Sequence, residues 1–168
     1  MTLNLKKINN PVLPIRSNEI ESVKGFYKKH GINAIDRLNR TLLMNAAMKG
    51  NFELLSWAIQ QNADLDRQDK KGMTALHMAV ERNQLNLVSI LLKSGIKVDL
   101  QDHFGNTALW RAMMDNVDVN IVYLLLQYDA NPDLPNNYGI SARELISEEN
   151  RNWELLKRIF DDFKPSPL

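Results

Sequence analysis

Side chains able to do acid, base or metal chemistry are few and scattered in this sequence. The three histidines, His30, His77 and His103, stand much farther apart than the ligands of a local metal motif. The chain has no cysteine, which excludes a disulfide framework, a thiolate zinc site and a cysteine nucleophile together. The adjacent acids Glu148/Glu149 and Asp161/Asp162 could serve as general acid and base only in a cleft that raises one pKa, and they fall where helix termini would face solvent. No Gly-x-Ser-x-Gly, phosphate-loop or Gly-x-Gly-x-x-Gly string occurs. We therefore expect no enzyme, no metal and no cofactor.

The elements that would position these residues follow from composition and pattern. A chain of 168 residues, 44% hydrophobic and 24% charged, has the make-up of one folded domain able to bury a core unaided. The start, MTLNLKKINNPVLPI, breaks any apolar run with Asn9, Asn10, Pro11 and Pro14, so it does not read as a signal peptide. No stretch approaches the roughly 20 apolar residues of a membrane span, and the lack of cysteine suits a reducing compartment. A cytoplasmic protein is expected. The formal net charge of +1 conceals a division: residues 1–84 carry 13 basic against 8 acidic side chains, and residues 85–168 carry 8 against 12. Such a dipole would steer partners without bearing on the fold.

One stretch, DKKGMTALHMAVERNQ from Asp69, has relatives along the chain. DRLNRTLLMNAAMKGN begins at Asp36 and DHFGNTALWRAMMDN at Asp102, so the three aspartates are 33 residues apart; a weaker copy, NNYGISARELISEEN, begins 34 residues on at Asn136. The odd residue falls in the turn between Asp115 and Asp118. A period near 33 marks a solenoid array. In each unit Asn39, Gly72, Gly105 or Gly139 suits a turn with positive φ. Thr41, Thr74, Thr107 or Ser141 then offers an oxygen to cap a short helix. Small Ala46, Ala79 and Ala112 permit close helix packing. A second helix should bury Leu54/Leu55, Leu91/Leu92 and Leu125/Leu126 and end at Asn62, Gly95 or Asp129, all tolerant of a left-handed cap.

This pattern resembles the ankyrin repeat, whose TPLHxA signature appears as TLLMNA in residues 41–46, TALHMA in 74–79 and TALWRA in 107–112. The resemblance covers roughly residues 36–163 and implies an all-α solenoid of stacked helix-turn-helix units with hairpin loops and capping repeats at both ends. The expected division is an extended arm at 1–16, a half-repeat cap at 17–35, full repeats at 36–68, 69–101 and 102–135, a C-terminal cap repeat at 136–163 and a tail at 164–168. The last copy departs from the pattern, with Arg143 and Glu144 where Leu and His belong, and NWELLKRIFDDF reads as a longer closing helix. The resemblance also gives His77 a structural role, a hydrogen bond between adjacent repeats.

By the same resemblance, partner contacts lie on the hairpin tips and the exposed ends of the inner helices. These positions are Arg37, Leu38, Arg40, Met48 and Lys49; Lys70, Lys71, Met73, Glu81 and Arg82; His103, Phe104, Asn106, Met114 and Asp115; and Asn137, Tyr138 and Ile140. Leu38, Met73, Phe104, Tyr138 and Ile140 would form apolar patches with no benefit to folding, or would pack on one another between adjacent tips. Trp110 replaces the motif histidine beside Arg111. It reads either as the centre of a binding site in the third full repeat, since tryptophan and arginine favour interface hot spots, or as core, since tryptophan is often mostly buried. Trp57 and Trp153 read as outer-helix packing.

Arg37, Arg40, Lys49, Lys70, Lys71 and Arg82 could line one basic strip. At a pI of 7.9, with an acidic second half, the chain lacks the charge footprint of a duplex binder, and a solvated face or an acidic protein partner suits the strip better. We expect no nucleic acid or membrane partner, a monomer before binding, and a protein partner such as a toxin or an enzyme. The TLLMNAAMKGN variant looks like ankyrin proteins of bacteria, and the array reads as capped with no attached domain; together these imply an immunity protein that neutralises a cognate toxin. A general regulatory adaptor or scaffold, binding an enzyme or transcription factor, is the alternative.

Overall fold

The computed structural model describes residues 20–163. The expected arm at 1–16, the first residues of the N-terminal cap and the tail at 164–168 lie outside the described residues. Within them the chain is all helical: α1 (Ile20–His30), α2 (Leu42–Lys49), α3 (Phe52–Gln60), α4 (Ala75–Glu81), α5 (Leu85–Lys93), α6 (Ala108–Met114), α7 (Val119–Gln127) and α8 (Trp153–Asp162), with a single 3-10 turn at Arg143–Leu145. Inner helices α2, α4 and α6 pack in sequence, as do outer helices α3, α5 and α7. The result is the expected solenoid.

Each inner helix begins where a threonine can satisfy a free amide. Thr41, Thr74 and Thr107 hydroxyls accept from the N–H of Met44, His77 and Trp110, respectively. Behind these caps Ala46, Ala79 and Ala112 are buried, and with no bulk beyond a methyl they let helix backbones approach. The outer helices stop at Asn62, Gly95 and Asp129, each with positive φ. The leucine pairs are buried but differ in register. Leu54/Leu55 match Leu87/Val88 and Ile121/Val122 in the first half of the outer helix, while Leu91 and Leu125 match Ala58 near its end.

The fourth unit breaks the rule. Ser141 was expected to cap a short helix; instead its N–H and hydroxyl both donate to Glu144 Oε2 at 2.7 Å, and only the 3-10 turn follows. Arg143 stands where Leu43, Leu76 and Leu109 are buried, and a charge placed there would lose its hydration. The backbone diverts, Arg143 N–H reaching Pro132 O at 3.0 Å. The Arg143 side chain pairs with Asp133 at 2.6 Å, donates to Phe160 O at 2.7 Å and lies 5.7 Å from the Phe160 ring centroid. That pins α8, which closes the stack with Leu156 and Phe160 buried.

The turn glycines serve two different demands. All three have φ near +78°. A Cβ on Gly105 would lie 2.5 Å from Asn137 N, and one on Gly72 2.8 Å from His103 N, because the next tip's backbone sits against them. A Cβ on Gly139 would meet nothing within 4 Å. Gly139→Ala should therefore cost about 1 kcal/mol of backbone strain, and Gly105→Ala, which adds a backbone clash, on the order of 3 kcal/mol or more. Urea denaturation of the two variants checks the order.

Candidate protein-binding surface

The tip of each repeat is built around one acid or amide side chain. Asp36 Oδ1 accepts from Leu38 N at 2.7 Å and Arg40 N at 3.0 Å; Asp69 Oδ1 from Lys71 N and Met73 N; Asp102 Oδ1 from Phe104 N and Asn106 N; and Asn136 Oδ1 from Tyr138 N and Ile140 N. Two amides that the tight turn would leave unpaired are thus satisfied in every tip. Consecutive tips are then joined by backbone bonds of 3.0 Å, from Lys70 N to Leu38 O, His103 N to Lys71 O and Asn137 N to Phe104 O. Gln68 and Gln101 reinforce the stack, each bridging its own turn to the carbonyl at the base of the next.

The second carboxylate oxygen ties the tip to the preceding tip or to its own inner helix. Asp69 Oδ2 accepts from Arg40 Nε at 3.1 Å, across the repeat boundary, and Asp102 Oδ2 accepts from Arg111 Nε and Nη2. Burial pushes the Asp102 carboxyl up, but the Arg111 guanidinium and the amides of Asn106 and Phe104 outweigh it and hold the group below the usual range. Arg40 also reaches Met48 sulfur, and Arg111 also pairs with Glu81 at 3.1 Å. These contacts place the inner-helix ends beside the tips, on one continuous face.

His77 is the buried bond between repeats that the motif implies. Its Nε2 meets Asn106 O at 3.1 Å, which can only accept, so Nε2 carries the hydrogen and Nδ1 accepts from Thr74 N at 3.2 Å. Burial drives its pKa down to about 4 despite the Asn106 carbonyl, and a second ring proton would face the Thr74 N–H. Trp110 in the same position has no such partner: its indole nitrogen is buried and unpaired among the described residues, while the rest of the ring packs partly buried on the core.

These placements sort the expected contact residues. Arg37, Leu38, Lys49, Lys70, Lys71, Arg82, His103, Phe104, Met114, Asp115, Asn137, Tyr138 and Ile140 are exposed, with Phe104 at 54%, Met114 at 60% and Tyr138 at 72%. Met73 and Asn106 are not: both are buried, because Met73 packs beneath its tip and Asn106 donates, accepts and bonds to Asn136 Nδ2 inside the stack. Arg40, Met48 and Arg111 are partly buried and engaged as above, and Glu81 is exposed but paired to Arg111. Truncating Arg111 would strand the Asp102 charge, at a cost on the order of 3 kcal/mol. The third-repeat pair Trp110 and Arg111 thus stands partly buried, Arg111 held by its ion pairs and Trp110 packed against the core. Trp57 packs on the core. Glu148 and Glu149 lie exposed in the turn before α8 rather than on a helix, and Asp161 and Asp162 are exposed at its end. Among the described residues no three His, Asp or Glu side chains cluster as metal ligands.

Sequence reasoning missed two further ladders. Asn33, Asp66 and Asp99 accept from the backbone N–H of Asp64, Lys97 and Asn131 in the following loop. Asn83 and Asn116, with positive φ between inner and outer helix, accept from Asp118 and Arg151 N–H. Their signal was present: 33, 66 and 99, and likewise Gly50, Asn83 and Asn116, recur at the repeat spacing with kindred residue types.

The repeated tip, threonine cap and helix pair agree with the family comparison. A model of ankyrin repeats in three copies matches residues 14–102, and a model of the single ankyrin repeat matches residues 104–137. The chain belongs to the ankyrin-repeat family. Comparison with curated proteins returns no match. Ankyrin repeats are protein–protein interaction modules, which makes the exposed tip row the candidate surface and His77 part of the ankyrin scaffold. As pH falls from 6.5 to 4, unfolded chains take up a proton at this histidine that the folded repeat refuses, so stability falls through that window. The loss should be about 3 kcal/mol. Urea titrations at several pH values should show that decline in wild type and its reduction in His77→Gln.

Proposed function

We propose that the chain is a non-catalytic binding protein that grips a folded protein partner along its turn tips and inner-helix ends, and that the partner is a protein toxin which it neutralises. The observation that carries the binding reading is the row Leu38, Phe104, Tyr138 and Ile140, apolar side chains exposed on tips that the fold holds rigid. Such side chains do nothing for folding where they stand, and rigid presentation lowers the entropy lost on association. The likeness of TLLMNAAMKGN to bacterial ankyrin proteins supports the inhibitory role. A bound toxin would be blocked by occlusion of its active site or by being held in an inactive shape, and the basic first half would hasten encounter with an acidic surface.

Co-expression tests this reading. Wild type should restore growth to cells making one particular toxin, and Phe104→Ser/Tyr138→Ser, folded by circular dichroism, should not. A regulatory adaptor would bind a cellular partner through the same tips yet rescue no toxin. Rescue undiminished in the double variant would remove the tips from the mechanism.

A further inference from the structure

The candidate face has two chemically distinct halves. On the first two repeats its free side chains are, apart from Leu38, cations: Arg37, Lys70 and Lys71 on the tips, Lys49 and Arg82 at the inner-helix ends, all exposed and none in an ion pair among the described residues. The one acid there, Glu81, is already taken by Arg111 at 3.1 Å. On the last two units the large exposed side chains are the apolar Phe104, Met114, Tyr138 and Ile140, together with the polar His103, Asp115 and Asn137. The halves are continuous, because Lys71 O accepts from His103 N and Phe104 O from Asn137 N.

We infer that this face binds a polarised protein segment, with carboxylates lying over repeats one and two and apolar or aromatic anchors seated on the tips of repeats three and four. The inference rests on the binding reading above and adds the chemistry and orientation of the partner. Charge complementarity selects the occupant. Five cations on one face, none in an ion pair among the described residues, are complemented by an acidic segment and not by an apolar one. The aromatic tips supply what carboxylates cannot, area to remove from water. Nucleic acid fits less well, since its charge would continue over an end of the face where no basic side chain but His103 is offered.

Selection of displayed random 16-residue peptides on the immobilised full chain tests this directly. Enriched peptides should carry a block of Asp or Glu beside a block of aromatic and aliphatic residues. A benzophenone placed at the apolar end of such a peptide should cross-link within residues 102–140. Lys70→Glu/Lys71→Glu should weaken the peptide about tenfold or more at low salt and less at high salt. Phe104→Ser/Tyr138→Ser should weaken it by a similar factor without that salt dependence. Peptides lacking the acidic block but still lost in Phe104→Ser/Tyr138→Ser would overturn the polarity and leave the binding face standing. No enrichment, or enrichment untouched by either variant, would overturn this inference, and the co-expression test would decide the binding reading separately. Tighter retention of a labelled single-stranded oligonucleotide than of the acidic peptides would overturn the protein partner. Concentration-dependent self-association, abolished by Lys70→Glu/Lys71→Glu in sedimentation, would instead make a second copy of the chain the occupant.

Discussion

One buried side chain per repeat supports this structure: the acid or amide at the base of each tip. A four-residue turn cannot satisfy its own amides, and stacking the turns removes the water that would otherwise do so. A side-chain oxygen that accepts two of those amides settles the turn's shape. In the middle repeats its second oxygen accepts from an arginine and the backbone is shared with the next tip. Asn136 needs no charge compensation in the last tip; its amide nitrogen donates to Asn106 Oδ1 at 2.9 Å instead. Without these acceptors the tip backbones would have to hydrate, and the ladder that joins the repeats would open.

The same constraint shapes the candidate face. Tips that are cross-bonded at every step present Arg37, Lys70, Phe104 and Tyr138 on a framework that loses little freedom when a partner arrives. It also leaves Arg40 and Arg111 with little free charge on that face despite their chemistry. Each neutralises a carboxylate that is itself nearly inaccessible, so its charge is spent inside the protein.

Periodicity made most of the fold legible. The left-handed turns at Asn39, Gly72 and Gly105, the threonine caps and the helix ends at Asn62, Gly95 and Asp129 each depend on one residue type at one place, and these can be read from sequence. The fourth unit was harder, because Ser141 alone looks like a cap. Only the neighbours show that Arg143 cannot be buried and that Glu144 will take the amide. Met73 and Asn106 failed for a related reason: whether a residue flanking a turn points outward depends on the adjacent repeat, which sequence spacing does not encode. The Asn33, Asp66 and Asp99 ladder was present in the spacing and was masked by the polarity expected of any loop.

Amide hydrogen exchange in Asp102→Ala tests the dependence on the tip carboxylate most directly. The account requires protection to fall at Phe104 and Asn106, whose amides lose their acceptor, and at Asn137 across the rung, while α2 and α3 exchange as in wild type. Unchanged protection at those three amides in a folded variant would contradict it, and would mean that helix packing alone holds the tips in place.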